Sequence, residues 1–337
     1  MNGLLVFAVV PAHRLDPALL DEGEGLPPGL RAIAAGALAA VVGAAPEGGL
    51  KGRERSALLP WLLASQKVME RLLARAPVLP VALGTVIEDE SRVRHLLEAG
   101  GAVLAGGLQE VGDSIEMSLS VTWQLDTVVA RLLPGVSAEL VRAAAEGGES
   151  ERKALGALLA GLVAAERSRL RSRVIDRLRR ATRDITVREP ADPAGVVEMA
   201  LLVDRAAEAE LGAALESLDA DGAGALTFRL VGPLPPYSFA SVQVDLAPRA
   251  RVAEARTMLG VPAGADAATV RAAYRRAARE THPDLVPMGG AGRDDAEPGG
   301  GSDTEATRFI ALSEALRVLE SEGAPVSLRR QETLPLD

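Results

Sequence analysis

The stretch RLVGPLPPYSFASVQVD, residues 229–245, places one glycine and three prolines between two apolar runs that are typical of β-strands. Proline lacks a backbone donor and fixes φ, so within sheets it is confined to strand ends, edges and turns. The stretch therefore predicts a rigid, exposed connection between strands at 225–231 and 241–246. Aromatic residues make up only 2% of the chain, yet Tyr237 and Phe239 both lie here, and we expect them to pack rather than to bind a partner.

The composition limits the classes of protein to which the chain can belong. Its 337 residues are enough for two or three domains, and without cysteine it has neither disulfides nor thiolate metal sites. The net charge of −9 argues against a general nucleic-acid-binding surface. No apolar run reaches the roughly 18–20 residues of a membrane-spanning helix. We therefore expect a cytoplasmic protein with no nucleic-acid or membrane partner.

Strands and helices alternate through residues 1–125, which predicts an N-terminal α+β domain. Short apolar runs predict strands, at residues 3–10, 30–46 (a pair folded around Gly36) and 78–87. Apolar residues at helical spacing predict two helices, at residues 54–75 and 89–100. The alanine content of 30–46 is also compatible with a helix.

The clearest period of two lies in SIEMSLSVTWQLD, residues 114–126, where apolar side chains alternate with polar ones such as Glu116 and Ser118. Such alternation predicts a half-buried strand with one face in water. We expect Glu116 on that wet face, and we expect this strand to complete the N-terminal domain.

Residues 126–248 predict a second α+β domain. A long helix is expected from about 151 to 183, and a strand–helix–strand pattern follows at residues 196–204, 205–218 and 225–231. The proline-rich turn and the strand at 241–246 close this domain. We expect both domains to be α+β and ferredoxin-like in class.

Eight arginines crowd the end of the long helix, at positions 167, 169, 171, 173, 177, 179, 180 and 183. The first interpretation is a solvated helix face, because arginine stems cover apolar surface while their heads stay in water. The second is a docking surface for an acidic partner. Nucleic acid ranks third because of the overall negative charge.

A different pattern occupies residues 250–322 and predicts a small all-α unit. ARTMLGVPAGADAATVRAAYRRAARETHPD (255–284) predicts a short helix, a Gly/Pro turn and a second helix that ends before Pro283. One face of the second helix is apolar, and the other is basic, with Arg271, Arg275, Arg276 and Arg279. RFIALSEALRVLES (308–321) predicts a third helix. The loop 285–305 is glycine-rich and acidic and is predicted to be disordered, and 323–337 is a tail.

These helices, with the tripeptide His282-Pro283-Asp284 between them, resemble a J-domain of the DnaJ type over about 70 residues. The resemblance implies that the basic helix docks on a DnaK-type chaperone and that His282, Pro283 and Asp284 stimulate its ATP hydrolysis. Three departures from the family pattern are that Leu285 follows the tripeptide where a basic residue is usual, that the first helix lacks the family's tyrosine, and that the loop 285–305 is long, glycine-rich and acidic.

Residues 1–248 resemble the gas vesicle proteins GvpF and GvpL. The most specific part is the signature turn, formed by Gly232, Pro233, Pro235, Pro236, Tyr237 and Phe239. Leu234 stands where the family usually has tryptophan. VLPVALGTVIEDESRVRHLL and IEMSLSVTW follow the family's order further upstream. The resemblance implies an accessory protein that assists assembly of the gas vesicle shell and contacts its small, hydrophobic subunit.

The two resemblances together predict a gas vesicle assembly protein that binds the shell subunit, works with other gas vesicle accessory proteins and recruits a DnaK-type chaperone. No nucleophile elbow, phosphate loop or histidine pair at metal-ligand spacing is visible, so we expect no enzyme, cofactor or metal. Two alternatives stay open. One is a general J-domain co-chaperone with an unrelated client, and the other is an enzyme that holds an anionic ligand at the arginines of 167–183.

Overall fold

The computed structural model describes residues 3–50, 52–192, 194–222, 225–281 and 301–333. Within these ranges the chain forms two antiparallel sheets with helices, a two-stranded ribbon and a unit of three helices. None of the described helices is both long enough and apolar enough to cross a membrane.

The first sheet is formed by the N-terminal part of the chain. Its strands are β1 (Leu4–Pro11), β2 (Arg31–Ala35), β3 (Leu38–Ala44), β4 (Leu79–Pro80) and β5 (Val86–Ile87). They pair antiparallel in the order β2-β3-β1-β4, with β5 also paired to β1. Gly36, with φ at +59°, makes the turn from β2 to β3 because this left-handed conformation suits glycine. The strand pair predicted at 30–46 is confirmed.

Both faces of this sheet are covered by helices, which are α1 (Arg55–Leu73) on one side and α2 (Glu90–Ala99) and α3 (Gly101–Val111) on the other. Successive side chains of β1 point to opposite faces. Leu5 and Phe7 therefore join the cluster that contains α1, and Val6 and Val9 join the cluster that contains α2 and α3. The helices predicted at 54–75 and 89–100 are confirmed, whereas α3 has no predicted counterpart.

The strand predicted at 78–87 is wrong as a single element. It consists of β4 and β5, separated by a turn in which the Thr85 amide donates to the Ala82 carbonyl and Gly84 has φ at +85°. The sequence does not show the turn between β4 and β5, because a continuous apolar run has no periodicity that indicates where strand pairing stops.

The second sheet has the order β7-β8-β6-β9. Its strands are β6 (Ser114–Trp123), β7 (Asp184–Arg188), β8 (Gly195–Asp204) and β9 (Leu226–Leu234), and its helices are α4 (Leu125–Leu132), α5 (Ala138–Glu146), α6 (Glu149–Leu178) and α7 (Glu208–Gly222). Strands and helices follow the β-α-β-β-α-β pattern of ferredoxin-like folds. The first sheet departs from that pattern, since short 3₁₀-helices rather than an α-helix lie between β1 and β2.

The strand β6 belongs to the second sheet, which corrects its expected place at the end of 1–125. It pairs with β8 from Ser114 to Thr122 and with β9 from Glu116 to Trp123. Its apolar face joins α1 and β1 in one cluster, so the two sheets share a core. Sequence periodicity shows that a strand exists, but it does not show which strands it pairs with.

The last strand of the predicted second domain is also placed elsewhere. β10 (Ser241–Val244) pairs antiparallel with β11 (Val326–Arg329), and Val242 forms a parallel bridge with Val81 beside the first sheet. Val326 packs against Gly100, and Leu328 packs against Gly107 of α3. Part of the predicted tail 323–337 is therefore a strand of the folded protein.

The helices α8 (Arg249–Leu259), α9 (Ala267–Thr281) and α10 (Gly301–Gly323) lie between β10 and β11 in the chain and have their own apolar core. Asp266 caps α9 by accepting from the Thr269 amide at 2.7 Å, and its hydrogen bonds with Thr269 hold its pKa below the usual value. The predicted disordered loop 285–305 lies outside the described residues up to 300. Residues 301–305 belong instead to α10, where the sequence Gly-Ser-Asp-Thr-Glu is of a type that begins helices.

Candidate functional site

The proline-rich turn covers the face of the second sheet that carries no α6 or α7. Pro235 and Pro236 are buried, and the peptide bond between Gly232 and Pro233 is cis. Gly232 lies so close to β6 that a Cβ there would be 2.3 Å from the Met117 sulfur. A Cβ there would also lie 3.0 Å from the Glu116 carbonyl oxygen, so glycine allows the turn to pack closely on the sheet.

Under the turn lies a buried carboxylate, Glu116 of β6, whose side chain is only 5% exposed. It accepts hydrogen bonds from the Ser238 amide at 2.8 Å and from the Ser238 hydroxyl at 2.7 Å. Arg188 of β7 donates to the same hydroxyl at 2.8 Å and lies 3.9 Å from Glu116 Oε1. Burial raises the pKa of Glu116 above its usual value, although the Ser238 hydrogen bonds and Arg188 oppose the rise.

The alternation of β6 predicts Glu116 in water, and this prediction is wrong because the side chain is buried. The strand alternation is as predicted, but the turn at 232–239 folds over the face that would otherwise be wet. No sequence pattern marks Ser238 or Arg188 as partners of Glu116. Glu116 is the only charged residue on the polar face of β6 between Ser114 and Thr122, and this is the one sequence signal that could have drawn attention to it.

The two aromatic residues of the turn occupy different environments. Phe239 is buried against Ala200 and Leu202 of β8, with the Arg330 guanidinium 5.7 Å from its ring centre. Tyr237 is 41% exposed, but its hydroxyl end hydrogen-bonds with Ser65 of α1, and burial of that end raises its pKa. Phe239 packs as the sequence predicts, while Tyr237 stays partly exposed.

The C-terminal chain holds the turn from outside. The Gln331 amide donates to the Ser238 carbonyl, and the Val187 amide donates to the Thr333 hydroxyl, both at 2.9 Å. The turn therefore connects α1, the second sheet and the segment that follows β11. This position is consistent with a structural role for most of its residues.

In the helical unit the four predicted arginines lie on one helix but differ in their contacts. Arg271 pairs with Glu320 of α10 at 2.7 Å. Arg275, Arg276 and Arg279 are exposed. On the opposite side of α9, Val270 and Ala273 pack in the core of the unit, and Tyr274 hydrogen-bonds Ser313. His282, Pro283 and Asp284 lie outside the described residues, immediately after the end of α9.

The helical unit is attached to the first sheet by a buried ion pair. Arg92 of α2 contacts both carboxylate oxygens of Glu322 at 2.7 Å and also donates to the Ala247 carbonyl. The two side chains are 8% and 15% exposed. Hydrogen bonding to Glu322 raises the pKa of Arg92 further, so the pair stays charged. His95 Nε2 adds a contact to the Glu322 carbonyl at 2.9 Å.

The arginines of 167–183 do not form one basic surface. Ion pairs join Arg169 to Glu166, Arg177 to Asp221, and Arg183 to Asp204. Arg167 and Arg171 line a cavity near β7. The helix ends at Leu178, earlier than predicted, so that Arg183 lies beyond it. Most of this cluster fits the interpretation of a solvated face.

Fold and turn together define a mixed α/β protein of two sheets with a shared core, in which a proline-rich turn closes the second sheet. The family model described as "Gas vesicle synthesis protein GvpL/GvpF" matches residues 3–241. The chain therefore belongs to the GvpL/GvpF family. The matched range ends before α8, so the helical unit lies outside it.

Similar proteins support the same assignment. Gas vesicle protein L of Streptomyces sp. (strain CB03234) is 29% identical over 252 residues, covering 66% of this chain and 88% of that protein. The crystal structure of GvpF from Anabaena sp. PCC7120 matches with a TM-score of 0.54 and 17% identity, over 70% of this chain and 95% of the other. The crystal structure of GvpF from Microcystis aeruginosa matches with a TM-score of 0.55 and 17% identity, over 71% of this chain and 98% of the other. The matched part of the chain thus has the fold of GvpF.

Proposed function

We propose that this protein is an accessory factor of gas vesicle assembly that binds the hydrophobic shell subunit and recruits a DnaK-type chaperone to it. The observation that carries the proposal is the joining of a GvpL/GvpF fold to a rigidly attached helical unit with a basic face. It acts in the cytoplasm and at the gas vesicle, with other gas vesicle proteins as partners.

Exposed apolar side chains support binding of a hydrophobic subunit. Leu59, Leu62 and Leu63 of α1 and Leu230 and Val231 of β9 are all at least 38% exposed. In the described sheet, β9 pairs only with β6, so its other edge is open to a further strand. Apolar surface next to an open edge suits a partner that is itself apolar before it assembles.

The helical unit supports chaperone recruitment. The exposed Arg275, Arg276 and Arg279 present positive charge on one side of α9, and His282-Pro283-Asp284 follows that helix directly in the chain. A basic helix of this kind is complementary to an acidic partner surface. Since the unit is attached to the shell-binding part, a bound chaperone has a high effective concentration beside the client.

The proposed recruitment of a chaperone is tested with the full-length protein and a DnaK-type chaperone. We expect the protein to accelerate ATP hydrolysis, His282→Gln to abolish the acceleration, and the matched control His13→Gln to leave it unchanged. Acceleration that survives in H282Q would refute the proposed role of the tripeptide.

The proposed binding of the shell subunit is tested by co-precipitation of the full-length protein with purified shell subunit. Leu59→Ser/Leu63→Ser is expected to reduce binding strongly, and Leu158→Ser, on the exposed face of α6, serves as the control. If the wild-type protein stimulates the chaperone but does not bind the shell subunit, it is a general co-chaperone with another client.

A further inference from the structure

An apolar niche of about 50 Å³ lies where α4, α6 and α7 meet the start of β9. Most of its lining is aliphatic and consists of Val128, Leu132, Leu170, Val174, Leu218 and Leu226. One water molecule needs about 10–15 Å³ of such a space, so the niche has room for about four heavy atoms. A leucine side chain has that size. The niche therefore fits a single aliphatic side chain.

The niche lies at one end of an open strand edge. Leu226 lines the niche and is also the first residue of β9. Within the described ranges, the backbone of residues 226–231 hydrogen-bonds only to β6. Arg229, Leu230 and Val231 of this segment are exposed. An edge of this kind can pair with an added strand, and a pocket beside the edge then selects one side chain of that strand.

The charges at the rim of the niche favour an acidic group beside that side chain. The two acidic residues at the rim, Glu166 and Asp221, already form ion pairs with other arginines of α6, at 3.2 Å and 3.4 Å. Arg131 and Arg173 also line the niche, and both are exposed. In the part of the chain that the structure describes, neither guanidinium group has an ion-pair or hydrogen-bond partner. A carboxylate next to the aliphatic group would complement these two cations.

We propose that this edge and niche bind an extended segment of a partner polypeptide, which adds to β9 as a strand and inserts one leucine-sized side chain next to Leu226. Side chains two positions apart lie on the same face of a strand, so an acidic residue two positions from the leucine can meet Arg131 and Arg173. The inference deepens the proposed binding of a hydrophobic subunit, and it rests on that proposal only for the identity of the partner.

The probe is a capped, dye-labelled peptide of sequence Asp-Thr-Leu-Thr-Val-Thr, whose acidic and apolar side chains share one face of a strand. Fluorescence anisotropy with the full-length protein should show saturable binding. Leucine replaced by alanine in the peptide should weaken binding about tenfold, because the niche stays unfilled. Methylation of alternate backbone nitrogens of the peptide should abolish binding, because it blocks strand pairing. Free 4-methylpentanoate has the same branched chain and a carboxylate but no backbone, and it should not displace the peptide.

Variants of exposed residues locate the site without endangering the fold. Arg131→Gln and Arg173→Gln should each weaken peptide binding about threefold, as expected for an exposed ion pair. A peptide with asparagine in place of aspartate should bind wild type and both variants alike. Arg180→Gln removes the same charge from an exposed position outside the niche and should leave binding unchanged. Hydrogen exchange of the amides of 226–231 should slow when the peptide is bound.

Absence of saturable binding would overturn the proposal, as would unchanged hydrogen exchange in 226–231 or equal weakening by R180Q and R173Q. Displacement of the peptide by 4-methylpentanoate would show a site for small branched acids and would overturn the assignment to a polypeptide. If the shell subunit co-precipitates but the peptide does not bind, this inference fails and the proposed function stands. If the peptide binds but the shell subunit does not, the site stands and its partner is another polypeptide.

Discussion

Glu116 and Ser238 show how single residues make the signature turn part of the fold. A carboxylate loses its hydration when it is buried, and without compensation this costs several kcal/mol. Ser238 offsets part of the cost with two hydrogen bonds, and Arg188 adds a donor to Ser238. Desolvation still dominates, and the pKa of Glu116 is raised.

The raised pKa predicts a pH dependence of stability. Because the folded protein holds a proton on Glu116 more tightly than the unfolded chain, this residue contributes stability below about pH 4.5 that is lost as the pH rises through the folded pKa. We expect wild-type protein to lose more stability than Glu116→Gln between about pH 4 and pH 7. The difference is about 1.4 kcal/mol for each unit by which the folded pKa exceeds the unfolded one.

Urea unfolding across this pH range measures the difference, with the exposed Glu216→Gln as control for the chemical change. A gap between wild type and E116Q that stays constant with pH would contradict the account.

At the scale of single residues, the sequence predicts the environment of some side chains of β6 but not of Glu116. The alternation of β6 correctly assigns Ile115 and Leu119 to the core. It cannot assign Glu116, because the residue that buries it, Ser238, lies 122 positions later. The alternation of polar and apolar residues distinguishes the two faces of a single strand. It does not show which distant segment of the chain covers each face.

At the scale of elements, β11 is the strand whose role is least visible in the sequence. It is short and lies after the last predicted helix, yet it pairs with β10 along four residues and buries Val326 against Gly100, between α2 and α3. The strands with apolar runs and the helices with apolar stripes were predictable because each shows its own period. The pairing of β6, β10 and β11 was not, because it depends on contacts between distant parts of the chain.

Removal of β11 should therefore destabilise not only the helical unit but also the rest of the fold. We expect a chain ending at residue 323 to lose about 2–4 kcal/mol of unfolding free energy, because Val326, its ladder hydrogen bonds and the hydrogen bonds of Gln331 and Thr333 are lost. A chain ending at residue 333 keeps β11 and is the control. Equal stability of the two truncated chains in urea would show that β11 contributes nothing.

Considered as a whole, the molecule fixes its helical unit through both ends of the unit and through side-chain contacts. The chain enters it from β10, leaves it into β11, and is fixed between them by the ion pair of Arg92 with Glu322. The basic face of α9 therefore has a fixed orientation relative to the first sheet.

Breaking the ion pair should release this attachment. Arg92→Ala leaves Glu322 buried without its partner and is expected to cost about 3–5 kcal/mol of unfolding free energy. The double variant Arg92→Met/Glu322→Met removes both charges and should cost less than R92A alone. Hydrogen exchange should show increased opening of α10 in R92A. A double variant that is less stable than R92A would contradict the assignment.

The pairing of β10 with β11 has a consequence for how the two parts of this protein are joined. Val244 lies directly opposite Val326, so the ends of the helical segment are one strand spacing apart. A hairpin turn of about two to five residues can bridge that gap. Residues 245–325 are thus an insertion within a β-hairpin. Replacing them with a short turn would leave β10 and β11 paired in the remaining protein, whereas ending the chain after β10 would leave β10 without its partner strand.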